Sequence, residues 1–185
     1  MDKNCILTFV VGVSGVGKTQ MIKRFVAEHH EYIHLEASKL IKQAINAQTS
    51  EQLRLLPREK ILKNQYLLLQ ELTRYKQQYN RIILDGHLLI SNDKEIIPIP
   101  LDIVKRIEPY KIILIEGDPN EIFLHRLNDL QKKYPKQTII EIEKTQNFLE
   151  KITIKYCKEL KVDFNTLHFY EDEKFRKLLR RSVNV

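Results

Sequence analysis

Residues 12 to 19 read Gly-Val-Ser-Gly-Val-Gly-Lys-Thr and match the pattern G-x-x-x-x-G-K-[ST] in full. The apolar run 6–11 precedes this stretch, and the run 21–26, which begins Met-Ile-Lys-Arg, follows it. This order predicts a buried strand, a glycine-rich loop and a helix, which is the context in which the pattern binds phosphate. A glycine-rich turn without a ligand is the alternative, and the flanking strand and helix argue against it.

Each residue type that the pattern specifies has a chemical role. Glycines allow backbone angles at which successive N–H groups point at phosphate oxygens. Lys18 can reach the β- and γ-phosphates of ATP, and the Thr19 hydroxyl can ligate Mg²⁺. A helix opening at Lys18 adds its positive dipole end. The predicted ATP-binding residues are Gly12, Val13, Ser14, Gly15, Val16, Gly17, Lys18, Thr19 and Gln20.

Composition limits the class of protein. A chain of 185 residues is large enough for one well-buried domain, so we expect a single domain over 1–185. Its 43% hydrophobic and 30% charged residues are typical of a globular protein rather than a disordered one. Two cysteines, Cys5 and Cys157, give neither a disulfide framework nor a metal-binding spacing, which favours a reducing, cytoplasmic location.

Charge and hydropathy set further limits. The formal charge of +7 suits polyanionic partners such as nucleotides or nucleic acid, although a lysine-rich surface is the simpler interpretation. No basic run carries interleaved aromatic residues of a known RNA- or DNA-binding module. The apolar run 6–11 follows the N-terminus at once, so we expect no signal peptide, and no apolar stretch is long enough to span a bilayer.

Two further apolar runs, 82–85 and 112–116, end in an acidic residue, and 32–35 and 166–170 are weaker strand candidates. The first two lack alternation, as strands covered by helices on both faces do. Helix start signals separate the strands. They are Thr49 or Ser50 with Gln52, Pro57 as a first helical residue, Asp118 with Pro119 and Glu121 for a helix through Leu130, Thr138 with Glu141, and a last helix over about 173–180. Alternating strands and helices predict a parallel α/β sheet with right-handed crossovers.

Asp85-Gly86-His87 follows one of these strands and is the predicted acidic partner of the loop. A carboxylate there can hold Mg²⁺ close to Thr19, commonly through water. Asp-Gly is also a common turn, so the assignment depends on the presence of the loop. His87 has two interpretations that stay open: a neutral imidazole that orients water or bonds a phosphate, or a partly buried histidine bonded to backbone.

With these motifs the chain resembles archaeal-type adenylate kinases and their nuclear eukaryotic relatives, which carry Asp-x-His at the end of a core strand. Three more stretches fit that family: 51–56, 96–101 and 121–129. The order and spacing of these motifs match the family from the first strand to about Asp172. The chain is also similar to bacterial ATP-binding proteins of uncertain activity that share Asn64-Gln65 and Leu84-Asp85-Gly86-His87.

The resemblance implies a P-loop NTPase fold of the nucleoside monophosphate kinase type. Its five-stranded parallel sheet has the order 2-3-1-4-5 and is flanked by helices, with the strand of Asp85 beside the strand that leads into the loop. It places an acceptor nucleoside monophosphate between helices over about 38–79. Arg54 is then the candidate phosphate clamp, with Ser38 and Arg58 as further candidates.

The resemblance also implies a mobile lid over about 127–137 and a donor-nucleotide contact by Arg126. The implied catalytic set is Lys18, Asp85, His87 and Arg126. The alternative for each arginine is a surface salt bridge. Two features depart from the family: its lid carries further arginines where this chain has lysines over 131–136, and the segment 35–38 contains Glu36, which would repel a phosphate. Lysine lacks the planar bidentate fork of arginine.

Three functions remain open on sequence grounds. The first is a nucleoside monophosphate kinase. The second is an ATPase switch or accessory protein that acts on a protein or RNA partner, which the lysine-bearing lid and the basic charge favour and which the ribosome-assembly role of the eukaryotic relatives implies. The third is a kinase for a small metabolite, as in the shikimate and gluconate kinases of the same superfold, because fold alone does not fix the acceptor.

Overall fold

The central element is a parallel sheet in a computed structural model that describes residues 5–180. In chain order the strands are β1 Ile6–Val11, β2 Ile33–Glu36, β3 Arg81–Asp85, β4 Leu89–Ser91, β5 Ile96–Pro98, β6 Lys111–Glu116 and β7 Asp163–His168. Five of them pair in the order β2-β3-β1-β6-β7, all parallel. This confirms the predicted order, because β6 and β7 are the fourth and fifth strands of that sheet. Residues 1–4 and 181–185 of the predicted domain lie outside the described residues.

Burial explains why the inner strands show no alternation. Ile82, Ile83 and Leu84 of β3 are all 0% exposed, and no residue from Ile112 to Ile115 of β6 is more than 1% exposed. Both faces of the sheet are therefore covered, as in other parallel sheets with helices on the two sides.

Eight helices accompany the sheet within residues 5–180. They are α1 Lys18–Glu28, α2 Ala37–Ile45, α3 Ser50–Arg54, α4 Arg58–Gln78, α5 Leu101–Ile107, α6 Pro119–Asn128, α7 Ile139–Leu160 and α8 Asp172–Arg180. No helix in this part of the chain is both long and apolar enough to cross a membrane.

The predicted helix starts are mostly confirmed by the side chains that cap them. Thr49 and Thr138 each form a capping box with the glutamine or glutamate three residues on, and the Asp118 carboxylate accepts from two backbone N–H groups. One start was wrong by a residue: Pro57 has ψ 147 and is the cap of α4 rather than its first residue.

A hairpin that the sequence did not predict links β3 to α5. Its strands β4 and β5 pair antiparallel, and Asn92 closes the turn by accepting from the N–H groups of Lys94 and Glu95. Asp93 at the tip has φ 69. The hairpin matters because its tip contacts the candidate site.

Candidate active site

The loop between β1 and α1 is shaped by two glycines with positive φ, Gly15 at 85° and Gly17 at 103°. A Cβ at Gly15 would stand 2.8 Å from the side chain of Arg126, and one at Gly17 would stand 3.2 Å from Phe169. Both the backbone angle and the close neighbours therefore require glycine. Val13 and Val16 are buried and anchor the loop in the core, whereas Gln20 is exposed on α1.

Lys18 is the buried cation of the loop. Its Nζ donates to the carbonyl oxygens of Gly12 at 2.9 Å and Val13 at 3.1 Å. Burial lowers the pKa of Lys18 to about 8, while Asp85 acts to raise it. The helix α1 begins at this residue, and no described side chain caps its N-terminus. Its first N–H groups and the ammonium together form a cationic cradle suited to phosphate.

Thr19 and Asp85 meet beside this cradle. The Thr19 hydroxyl donates to Oδ2 of Asp85 at 2.6 Å, because β1 and β3 pair with Val10 opposite Asp85. Burial acts to raise the pKa of the Asp85 carboxyl, but His34, Lys18 and the Thr19 hydroxyl outweigh it and lower the pKa to about 2. His34 was not predicted; its Nε2 lies 3.6 Å from the same carboxylate oxygen.

The donors at Thr19 and Asp85 fit Mg²⁺. A hydroxyl and a carboxylate are hard oxygen ligands, and Mg²⁺ keeps water and phosphate oxygens for its other positions. Among residues 5–180 no group of three or more His, Cys, Asp or Glu side chains could hold a metal ion. An ion here would therefore be held jointly with a nucleotide rather than by a protein cage.

His87 is placed by the backbone of the loop. Its Nδ1 lies 2.9 Å from the carbonyl oxygen of Gly12, and since a carbonyl only accepts, Nδ1 carries the proton. Burial, together with the charge of Lys18, lowers the pKa of His87 to about 4, so the ring is neutral. The ring also lines a cavity beside the loop, so both predicted roles, support of the backbone and contact with a ligand, stay open.

One cavity of about 600 Å³ joins the loop to the helices on its other side. Four groups of residues line it, one of which is Leu89, Ile90, Ser91 and Ile99 of the hairpin region. The loop side contributes Ser14, Gly15, Lys18, Thr19, Asp85 and His87; the segment α2–α4 contributes, among others, Ser38, Arg54, Asn64 and Gln65; and 130–135 contribute every residue. The structure thus brings together most of the predicted site residues around one space.

Arg54 is held at the edge of this cavity. Its Nη1 donates to Oδ1 of Asp93 at 2.6 Å, and its Nη2 donates to the carbonyl oxygen of Tyr134 at 3.3 Å. The side chain is 13% exposed, and its buried Nε has no hydrogen-bond partner among the described residues. Arg54 lines the cavity, while its Nε is buried inside the protein without a hydrogen-bond partner in the described part of the chain.

The Arg126 side chain contacts both the phosphate loop and the segment after α6. Its Nε donates to the carbonyl oxygen of Ser14 at 2.8 Å, and its Nη1 donates to Gln137 at 2.9 Å. The guanidinium also lies 5.9 Å from the ring centroid of Tyr134. Burial lowers the pKa of Arg126 to about 10, which leaves it charged at neutral pH.

The predicted lid is an irregular segment between α6 and α7. Helix α6 ends at Asn128, earlier than the predicted end at Leu130, and Asp129 accepts from the Tyr134 hydroxyl at 2.6 Å. Lys132 and Lys133 line the cavity, and Lys133 pairs with Glu51 at 3.3 Å. Lysines therefore occupy the part of the cavity wall that the predicted lid forms.

The remaining acceptor candidates differ in position. Ser38 lines the cavity, whereas Arg58 does not; its Nη1 pairs with Glu95 at 2.8 Å, and the side chain is half exposed. Glu36 lines the cavity but forms an ion pair with Lys39. Asp93 and Tyr134, which position Arg54, were missed because nothing in the sequence indicates that the hairpin tip and the lid meet.

The sheet order and the phosphate loop together define a P-loop fold of the kinase type. Solved structures of similar fold include the shikimate kinase from Bacteroides thetaiotaomicron, with a TM-score of 0.61 at 15% identity, covering 97% of this chain and 99% of that one. The shikimate kinase from Acinetobacter baumannii in complex with shikimate gives 0.56 at 16% identity, covering 98% and 92%. At such identities the likeness shows the fold alone.

The family follows from the sequence comparison. An AAA domain family model matches residues 11–143, more than half of the chain, and the chain belongs to that family. Its relatives include the adenylate kinase of Methanopyrus kandleri, 28% identical over 127 residues, or 66% of each chain. The adenylate kinase of Pyrococcus abyssi is 22% identical over 185 residues, 97% of this chain and 94% of that one. These matches confirm the resemblance to archaeal adenylate kinases.

Proposed function

We propose that this protein is an ATP-dependent phosphotransferase that moves the γ-phosphoryl group of ATP to a nucleoside monophosphate. The observation that carries the proposal is that the phosphate loop, α2–α4 and the segment 130–135 all line one cavity of about 600 Å³. Donor and acceptor sites of a kinase must share one closed space, because the two anions react in line.

The transfer needs no dedicated general base. An acceptor phosphate oxygen is already ionised at neutral pH, so it can form the new bond to the γ-phosphorus while the bond to the β–γ bridging oxygen breaks. The products are ADP and a nucleoside diphosphate. Catalysis then consists of alignment and charge cancellation.

Three cationic side chains and a bound metal ion would cancel that charge. Lys18 would bind the β- and γ-phosphates from inside the loop, and Arg126 would approach the donor from the loop's outer side, where it already contacts Ser14. Arg54 would bind the acceptor phosphate through its fork. Mg²⁺ held by Thr19 and Asp85 would supply positive charge at the β- and γ-oxygens.

The segment over about 127–137 would act as a lid, and about 38–79 as the acceptor-binding segment. Lys132 and Lys133 line the cavity from the lid, so they add positive charge without a bidentate grip. Closure would exclude water, which otherwise competes as the acceptor. We infer a slower transfer than in a kinase whose lid carries arginines.

A second candidate is ATP hydrolysis without an acceptor. Arg54 is already bound to Asp93, so the cation that a phosphate acceptor needs is engaged by a protein carboxylate. In that case water would attack the γ-phosphate, and Arg54 would serve to join the hairpin tip to the lid.

A third candidate is a kinase for a small hydroxylated metabolite. Glu36 lies at the end of β2 opposite Asp85 in the neighbouring strand and lines the cavity. A carboxylate there could accept the proton of an attacking hydroxyl.

One experiment separates the three candidates. ADP formation is followed in a coupled assay with ATP and Mg²⁺ alone, then with each nucleoside monophosphate, and then with small polyols and hydroxy acids such as shikimate. The proposal expects ADP formation to rise with at least one monophosphate. A slow rate that no acceptor changes would assign the protein to hydrolysis, and stimulation by a hydroxyl compound alone would assign it to the third class.

A further inference from the structure

The side chain of His34 on β2 carries a buried atom that lacks a partner. Its Nε2 has no hydrogen-bond partner among residues 5–180, and the side chain is 10% exposed. In the same part of the chain, only Nε of Arg54 and Nδ1 of His168 are buried side-chain atoms in that state. A buried polar atom without a partner costs free energy, so its presence in a folded protein needs an explanation.

The pairing of β2 with β3 places His34 beside Asp85. His34 lies opposite Ile83 in the parallel register, and Asp85 follows Ile83 by two residues. Side chains two residues apart on a strand point to the same face, so His34 and Asp85 share one face of the sheet. Nε2 of His34 lies 3.6 Å from Oδ2 of Asp85. A movement of about 0.5 Å would bring the two atoms within hydrogen-bond distance.

With that bond, two donors would converge on one oxygen of the Asp85 carboxylate. The Thr19 hydroxyl already donates to Oδ2 at 2.6 Å, and each oxygen of a carboxylate has room for two donors. Because a carboxylate only accepts, His34 would meet it with the proton on Nε2. The two donors would fix the plane of the carboxylate and leave Oδ1 to face the metal ion or a water bound to it.

The position of His34 suits a role behind the site rather than within it. Among residues 5–180, Asp85 belongs to the residues that line the cavity and His34 does not. We propose that His34 is a positioning residue, which holds the Asp85 carboxylate in the orientation that binds Mg²⁺ at the phosphate loop. This inference rests on the metal site of the proposed function, and it is independent of which acceptor the protein uses.

Metal binding at equilibrium tests the inference without turnover. Electron paramagnetic resonance measures the Kd for Mn²⁺, which takes the same oxygen ligands as Mg²⁺, in protein saturated with a non-hydrolysable ATP analogue. Calorimetry in EDTA measures the affinity for the analogue alone. The variants are His34→Leu, His34→Asn and His34→Gln, because the amide nitrogen of glutamine reaches about as far as Nε2 of histidine and that of asparagine falls one methylene short. Asp85→Asn sets the scale for a lost metal ligand, and His30→Leu, at an exposed position, is the matched control.

We expect the Kd for Mn²⁺ to rise about tenfold in His34→Leu and His34→Asn and to stay near the wild-type value in His34→Gln and His30→Leu. Affinity for the analogue in EDTA should be unchanged in every His34 variant, which a general loss of structure would not allow.

Three results would overturn the inference: a wild-type Kd for Mn²⁺ in folded His34→Leu or His34→Asn, an equal rise in His34→Gln and His34→Asn, or no rise in Asp85→Asn. The expected pattern in a protein that phosphorylates no nucleoside monophosphate would leave the role of His34 standing and refute the proposed kinase function. Phosphorylation of a monophosphate by a protein in which the His34 variants bind Mn²⁺ as wild type does would do the reverse.

Discussion

The hydroxyl of Thr19 donates to Oδ2 of Asp85 at 2.6 Å, although 66 residues separate them in the chain. The contact arises because β1 and β3 are parallel neighbours that end at the same edge of the sheet. Ligands of open α/β sheets bind at that edge. A hydroxyl and a carboxylate this close can share one Mg²⁺, directly or through water.

Asp85→Asn should therefore weaken the response to Mg²⁺. The substitution keeps the shape of the side chain and removes the charge, so we expect the Mg²⁺ concentration for half-maximal ATP turnover to rise about tenfold or more. A Mg²⁺ titration at fixed ATP measures this. Asp163→Asn, at the exposed start of β7, is the control and should leave the titration unchanged. If the Mg²⁺ titration of Asp85→Asn had the same midpoint as that of wild type, Asp85 would not be a metal ligand.

Lys18→Ala should weaken ATP binding. The side chain is 5% exposed and supplies the buried cation of the loop, and hydrogen bonds to charged groups contribute about 1.5–3 kcal/mol. We expect ATP affinity measured by calorimetry to fall about tenfold to a hundredfold. Lys23→Ala, on the exposed face of α1, is the matched control. Unchanged ATP affinity in folded Lys18→Ala would refute the assignment of the loop.

The sequence predicted the sheet order, the loop and three helix caps because each depends on local chemistry or on a resemblance that spans most of the chain. It did not predict β4 and β5, since two strands of three residues each, one of which ends in a proline, are too short to show alternation. The sequence also did not predict the contact between Asp93 and Arg54. That contact depends on how a hairpin tip meets a helix 39 residues earlier in the chain, which no local pattern encodes.

Arg54→Ala and Arg58→Ala should behave differently. Arg54 lines the cavity, whereas Arg58 pairs with Glu95 outside it. A kinase needs the Arg54 cation at the acceptor phosphate, so we expect Arg54→Ala to lower kcat/KM for the monophosphate by about a hundredfold or more. The ATP affinity of Arg54→Ala should be close to that of wild type. The kcat/KM of Arg58→Ala for the monophosphate should also be close to that of wild type. Equal effects of the two substitutions on kcat/KM would contradict a clamp at Arg54.

Asp93→Asn should make Arg54 more available. Asp93 holds the guanidinium at 2.6 Å and would compete with an acceptor phosphate for it. Removal of that charge should lower KM for the monophosphate by about threefold to tenfold, with little change in KM for ATP. Steady-state kinetics with each substrate varied in turn measure both. A higher KM for the monophosphate would show that Asp93 positions Arg54 for the acceptor rather than competing with it.

The fate of the transferred phosphoryl group tests the central claim most directly. ATP labelled in its γ-phosphate is incubated with the protein, Mg²⁺ and AMP, and then with each other nucleoside monophosphate, and the labelled products are separated. A kinase with the site described above places the label in a nucleoside diphosphate, and Lys18→Ala abolishes that product. Label that appears in inorganic phosphate with every monophosphate, at the rate seen with ATP alone, would contradict phosphoryl transfer to a nucleotide.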